Sequence, residues 1–448
     1  MRAGWLLLCT GACIQSASTV CDDGSLCPSE TSCLAGGGCR AASCGDAVVD
    51  GQNGEECDDG NSLDHDGCSS ICRAERLVWT QAAGADIPPR LELAAAWDAD
   101  RGRGLVHGGL VQSVSLGDAW SWNGTTWEAA PSGPTAVYGH ALTPDGTGQL
   151  VLVGGDSDPP NHALLDQCWT WDGAWHASQP VPVPIVEHAM AQDPAGGLIA
   201  SGGFQPNPPS IKFSPFTFHR DPNGAWTTVE TTAIEVYDHA IVFEASGRRV
   251  IKTGGLWFNL MAMTQSWTGS AWEQWASELD LARPAVVYDP NRRRLTAIAG
   301  NEVNPNGDPG NPTHEIFELV DDDPAHINSW VAINPQPDKP PVPARASTQA
   351  FYDALRHAFV LVGGMDSSAT AYGETWLLRW ESEGPEEACD GTDNDGDGLV
   401  RCEDPDCWPR CTPRCQFGVP CNDADPHCGD GVCNAALEDA ALCPSDCP

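Results

Sequence analysis

Lysine is nearly absent from this 448-residue chain, which holds only Lys212, Lys252 and Lys339. Basic residues number 23 against 62 acidic ones, a net charge of −39. Phosphate backbones are gripped by clustered Lys and Arg, so this balance excludes nucleic acid as a partner. No run of about 18 apolar residues occurs, and no segment is long enough to cross a bilayer as a helix. Tyrosine is scarce, with 5 residues. Cys-x2-Cys pairs are missing, which argues against zinc. A Gly-x-Ser-x-Gly elbow and sialidase-type Asp boxes are missing too. The chain does hold 18 Trp, 21 Cys and 41% apolar residues, a composition for packing and not for disorder. Its length allows roughly two to four domains.

The cysteines divide the chain. Ten lie between Cys9 and Cys72, ten between Cys389 and Cys447, and Cys168 stands alone. The acid excess is 8 over residues 1–76, 17 over 77–380 and 14 over 381–448, so the tail is the most acidic region per residue. Met1-Arg2, the apolar Trp5-Leu6-Leu7-Leu8 and the small residues before Cys13 resemble a bacterial lipoprotein signal, with Cys13 taking the lipid. Thr10 departs from the usual leucine. Cys9 and an ordinary signal peptide are the alternatives. Without Cys9 and Cys13, every remaining cluster is even: Cys21, Cys27, Cys33 and Cys39; Cys44, Cys57, Cys68 and Cys72; and Cys389, Cys402, Cys407, Cys411, Cys415, Cys421, Cys428, Cys433, Cys443 and Cys447. Even clusters in short Gly- and Asp-rich stretches read as disulfide frameworks in an oxidising compartment.

The middle is repetitive. Apolar strands end in a small-residue pair at Gly108-Gly109, Gly154-Gly155, Gly202-Gly203, Gly254-Gly255, Ala299-Gly300 and Gly363-Gly364, spaced 46, 48, 52, 45 and 64 residues apart. Most spacings fit the ~40–50-residue period of propeller blades. Each unit then carries an aromatic strand (Trp120/Trp122, Trp169/Trp171, Phe216/Phe218, Trp267, Phe317, Trp376) and a fourth strand opened by Trp127, Trp175, Trp226, Trp272 or Trp330. Glycine lets blades approach where a Cβ would clash, and Trp fills the widening gap far from the axis. The sixth unit lacks its fourth-strand Trp, while an orphan strand around Trp79 precedes the first. That strand is expected to complete the last blade and close the ring. The pattern resembles the kelch-repeat β-propeller family over residues 77–380; a generic β-sandwich is the rival. The resemblance implies an all-β fold, a six-bladed propeller closed by an N-terminal strand, with small disulfide-rich flanking modules.

In a four-stranded meander the connections after strands two and four emerge on one face. These are the long ones here, at 156–166, 204–215, 301–313, 179–186 and 331–344. Long loops on a rigid ring are a natural binding face. The candidate ligand residues are His162, Phe204, Trp257, Phe258, Asn304 and His314. His140, His188 and His239 recur at equivalent first-strand positions, which argues for a structural role near the axis over one metal site. Kelch-like propellers include copper radical oxidases, which need paired Tyr and His ligands with a Tyr-linked Cys. Cys168 is the available thiol, and no matching ligand set is seen.

Residues 44–72 resemble the small cysteine-rich repeat of exported myxobacterial proteins, with Ala47 where that family has glycine. Residues 389–407 resemble the Asp-rich metal-binding repeat of exported bacterial proteins and, more loosely, thrombospondin type 3 repeats. The implied calcium ligands are Asp393, Asp395, Asp397, the Leu399 carbonyl and Asp404. Arg401, where an acid is usual, weakens the match. Residues 428–447 resemble another disulfide module of exported proteins.

The resulting divisions are a signal region (1–13), a cysteine-rich linker (14–43), a cysteine-rich repeat (44–74), the propeller (75–382), a calcium-binding segment (383–416) and a small disulfide module (417–448). The expected function is non-catalytic recognition of a protein or glycan at the cell surface. The chain would be an outer-membrane or cell-surface lipoprotein, or secreted, touching a membrane only through its lipid and using no organic cofactor. The rivals are a propeller enzyme, copper oxidase-like or glycan-acting, and a structural envelope component.

Overall fold

The computed structural model describes residues 44–49, 55–70, 72–82, 84–230, 236–257, 260–261, 264–304, 308–320, 328–333 and 342–382, with short backbone strands between 19 and 41. Cys13, Cys21, Phe258, the ten tail cysteines and Asp393, Asp395, Asp397, Leu399 and Asp404 lie outside these residues. The chain divides into two units, residues 77–379 and the remainder. Each is described by itself.

The larger unit is a six-bladed β-propeller. Blades 1 to 5 are antiparallel meanders whose first strands are Ala94–Asp98, Ala141–Pro144, Ala189–Gln192, Ala240–Glu244 and Ala285–Asp289. Blade 6 comprises Ala346–Asp353, Ala358–Met365, Thr375–Ser382 and, as its outermost strand, Glu75–Gln81. The N-terminal strand therefore closes the ring, as the orphan Trp79 motif implies. The Trp79 and Trp376 rings meet edge to face at 6.4 Å, and the Ala82 N–H donates to the Thr375 carbonyl at 3.0 Å.

First strands contact one another from blade to blade around the whole circle, so they line the axis. Their first residues are Ala94, Ala141, Ala189, Ala240 and Ala285 in the first five blades. Small side chains suit the narrow end of a wedge. An acid ends or directly follows each first strand: Asp98, Asp145, Asp193, Glu244, Asp289 and Asp353, all buried. Each accepts a turn N–H, from Arg101, Thr147, Ala195, Gly247, Asn291 and Leu355 respectively. These are Asx-type turns and their Glu equivalent, and they reverse the chain into strand two.

The glycine pairs act at the blade interfaces. A Cβ on Gly202 would lie 2.5 Å from the Val236 carbonyl oxygen of the next blade. The outer tryptophans reach across the same interfaces. Trp127 donates to Thr375 Oγ1 (2.7 Å), Trp272 to Thr217 Oγ1 (3.0 Å) and Trp330 to Thr264 Oγ1 (2.9 Å). Cys168 occupies the equivalent third-strand position opposite Trp226. It is a buried free thiol raised by burial, against Arg220, Trp226 and Ser178. Cys168 therefore replaces a threonine in a structural contact.

In the smaller unit, Cys44–Cys72 and Cys57–Cys68 are disulfides. Four backbone N–H groups, of Gly45, Asp46, Ala47 and Gly60, donate to the Asp58 carboxylate. Burial pulls the Asp58 carboxyl upward, but those donors outweigh it and hold it below its ordinary range. Ala47 has φ 69°, a left-handed conformation that favours the glycine its resemblance implies. Backbone register also sets Cys33 opposite Cys39.

Trp226 Nε1 has no hydrogen-bond partner. Cys168→Thr should supply the hydroxyl acceptor present in three other interfaces. It is expected to raise propeller stability by about 1 kcal/mol, measured by urea unfolding followed through Trp fluorescence.

Candidate functional site

The key position lies two residues before the leading alanine of the first strand in blades 1 to 5, and at the same register in blade 6. In blade order these residues are Glu92, Gly139, Glu187, Asp238, Arg283 and Ser347, with φ of 52°, 61°, 55°, 56°, 55° and 53°. Five of the six are not glycine, and a left-handed backbone in such residues costs about 1–2 kcal/mol each. Four of the six junctions between them carry a main-chain hydrogen bond. The N–H of Glu92 donates to the Ser347 carbonyl (3.1 Å), Gly139 to Glu92 (3.0 Å), Glu187 to Gly139 (2.7 Å) and Arg283 to Asp238 (2.7 Å).

Those connections are more regular than loops. Blade 1 carries the hairpin Leu110–Val111/Val114–Ser115, blade 3 Phe204–Asn207/Ser210–Phe213 and blade 4 Leu256–Trp257/Leu260–Met261. In blade 5 strands two and three extend as Arg294–Val303 and Pro309–Val320. Each base pairs with the residue preceding the ring: Leu110 with Leu91, Asp156 with Tyr138, Phe204 with Val186, Leu256 with Tyr237, Asn301 with Ala282 and Met365 with Ala346. The bases thus form a rim around the ring.

The candidate residues divide accordingly. Phe204 is on the rim, stacked at 5.0 Å on Phe213 and 5.0 Å from the Tyr237 ring. His162 is also at the rim, its Nδ1 3.2 Å from the carboxylate of the fully buried Asp156. The Tyr138 hydroxyl donates to the same oxygen at 3.1 Å. Trp257 follows the rim residue Leu256 in its short strand. Asn304 sits near the tip of the blade 5 hairpin, its N–H donating to Asp308. His314 is exposed on that hairpin's return strand, not in a loop. The ring residues escape sequence reading because their identities do not repeat. The signal available was their register, one residue before each aligned His, Pro, Leu or Thr.

The ring's electrostatics follow from crowding. Burial pushes the Glu92 carboxyl up to about 7 against the pull of Arg283. Burial, then the charges of Asp238 and Glu92, lifts Glu187 well above the carboxylate range. Burial lifts Asp238 too, although Arg283 lies 2.8 Å away as an ion pair. Burial disfavours the Arg283 charge, but the carboxylates of Asp238, Glu92 and Glu187 outweigh it and keep the guanidinium protonated. The Tyr138 and Tyr237 phenols are raised by burial and then by neighbouring carboxylates, which places both beside the ring.

One residue further in lie His140, His188 and His239. A Cβ on Gly108, Gly154 or Gly202 of the preceding blade would sit 2.9, 2.9 and 2.5 Å from their Cε1 atoms. The imidazoles pack against these glycines and also line a cavity on the axis. His140 Nε2 lies 3.0 Å from His107 Nδ1, but among the described residues the one group of three potential ligand atoms within metal-binding reach is Glu55, Asp58 and Cys72. Cys72 is disulfide-bonded, so that group is no metal site. The axial cavity, of about 430 Å³, is lined by first strands of all six blades, with His140, His188, His239, Trp97, Phe351 and Tyr352 among the lining residues.

No protein family and no curated protein matches this chain. Among solved structures, that of a protein named YjhT is similar over 67% of this chain and 100% of its own, at 12% identity and TM-score 0.51. At this identity the likeness concerns the fold alone, which is a six-bladed β-propeller.

Burial depresses His188 to about 4 and His239 to about 3, below the ordinary 6.5. The folded state therefore binds fewer protons than the unfolded one between those values. This contribution to stability is complete above pH 6.5 and lost as pH falls toward 4. Glu92, raised to about 7, acts in the opposite sense and gains as pH falls from 7 to 4.5. His188→Gln should remove about 2 kcal/mol of the wild-type loss between pH 7 and pH 5, read from urea unfolding at the two pH values.

Proposed function

We propose that this chain is an exported recognition protein of kelch type that binds a protein or glycan through the hairpin-bearing face of its propeller, without catalysis. One observation supports this reading above others. The six rim positions surround a polar ring that lies on the axis, so one ligand can touch several blades at once. Aromatic rings at Phe204, Phe213 and Tyr237 beside carboxylates are the mixture of stacking and polar groups that such surfaces use. Cys168 favours this reading over an oxidase-like one, because its neighbours Trp226, Arg220 and Ser178 give it a packing role.

A screen of immobilised glycans and secreted-protein fractions against the full chain tests the reading. A saturable ligand is expected. Its affinity should fall at least tenfold in Phe204→Ala and be unchanged by substitution of the exposed Glu273, on an outer strand. Capture unaffected by Phe204→Ala, or turnover of a captured sugar, overturns it.

We propose further that Asp393, Asp395, Asp397, Leu399 and Asp404 bind calcium and that Cys13 carries the lipid anchor. Millimolar calcium is expected to raise the tail's thermal transition in calorimetry, and Asp395→Asn to abolish that rise.

A further inference from the structure

The ring at the axis has unequal sides. Going round by blade, Glu92 and Glu187 flank Gly139, which contributes no side chain and leaves a gap between them. Asp238 and Arg283 follow as an ion pair at 2.8 Å, and Ser347 completes the circle. Three carboxylates face one guanidinium. Among the described residues neither the Glu92 nor the Glu187 carboxyl group has a hydrogen-bond or ion-pair partner, although both lie where burial disfavours charge. Ser347 is 5% exposed, and its Oγ is also unpartnered. It shares the register position and left-handed backbone of the charged ring residues. A buried polar group without a partner costs free energy that a ligand can recover.

We propose that this mouth binds an organic cation, an ammonium or guanidinium on a hydrocarbon stem, held by Glu92 and Glu187 across the Gly139 gap. The inference rests on the recognition reading above and names the chemistry of its ligand. Size supports an organic ion over a bare metal. The ring's ligand atoms do not fall into any group close enough to share one metal ion. A guanidinium or ammonium is broader, carries several N–H donors, and can bridge carboxylates that a metal cannot. The Ser347 hydroxyl offers it a third acceptor. The apolar stem has a wall to lie on, because Tyr237, next in sequence to Asp238, forms a three-ring cluster with Phe204 and Phe213 at 5.0 and 5.5 Å. Aromatic faces also attract cations directly. Arg283, fixed on Asp238, repels a cation from its own side and directs it toward the two free glutamates. The chain's net charge of −39 raises the local concentration of any cationic ligand.

The test is calorimetric titration of the full chain with three amidated, N-acetylated residues: arginine, lysine and the neutral arginine isostere citrulline. Saturable binding is expected for arginine or lysine and none for citrulline. The Glu92→Gln/Glu187→Gln pair should weaken it at least tenfold. A control pair with the same charge change, Asp100→Asn/Glu273→Gln at exposed positions, should leave it within twofold. Thermal melts confirm that each variant is folded. A parallel titration with spermidine and with an arginine-bearing peptide separates the two sources of such a cation. Tighter binding of the peptide assigns the site to a protein segment, and tighter binding of spermidine to a free polyamine. Equal binding of citrulline, equal loss in both variant pairs, or no saturable binding of any cation overturns the proposal. A partner found in the loop-face screen whose affinity survives both glutamate substitutions leaves the recognition reading standing and removes the cation site alone.

Discussion

Ring closure is the constraint on which everything else here depends. Blade 6 draws its outermost strand from the start of the propeller sequence and its other three from the end. The Thr375 hydroxyl donates to the Ala85 carbonyl at 2.6 Å across 290 residues of chain. Joining positions that far apart costs roughly 5 kcal/mol of chain entropy. Strand pairing and the Trp79–Trp376 contact offset it, and closure also removes an open sheet edge. Without it the first strands would not circle an axis. Neither the axial cavity nor the polar mouth would then exist.

Closure also explains why the interfaces are built twice, near the axis and far from it. Close to the axis, small residues and glycine pairs let backbones and imidazoles approach. At the periphery, tryptophans span a wider gap and end on a hydroxyl of the preceding blade. Trp122 and Trp171 add a third tie between them, donating to Asp353 and Asp98 of the preceding blades at 3.2 and 3.1 Å. Two fully buried arginines stiffen the seam between blades 5 and 6 and that between 6 and 1. Arg90 forks onto Asp118 at 2.8 and 2.7 Å and also reaches the Gly108 carbonyl. Arg345 pairs with Glu374 at 2.6 Å and donates to Gly363. A buried guanidinium is tolerable only with this degree of satisfaction.

Against that scaffold the mouth stands out as the place where physical rules are broken. Five non-glycine residues hold left-handed backbones, two glutamate carboxyl groups lack partners, and carboxylates crowd together. Strain and unpartnered carboxyl groups of this kind persist only where surrounding structure over-determines them. Here the backbone ring and the six paired hairpin bases do so. Perturbed carboxylates in a concave mouth are also where function concentrates.

The features legible in sequence were those that every blade needs. The glycine pairs, the outer tryptophans, the alanines that start the first strands, and the orphan Trp79 strand follow from one repeated geometry, and repetition exposes them without coordinates. The placement of the aligned histidines near the axis belongs to the same class. The acids ending all six first strands repeat as well and could have been found in the same way. The mouth could not. Its Glu, Gly, Glu, Asp, Arg and Ser share a register and a backbone conformation but no side-chain type, and they are scattered over some 250 residues. Only the closed circle brings them face to face. A repeat records what each blade requires for itself and its neighbour, whereas the axis is the one place where all six blades meet and need not be alike.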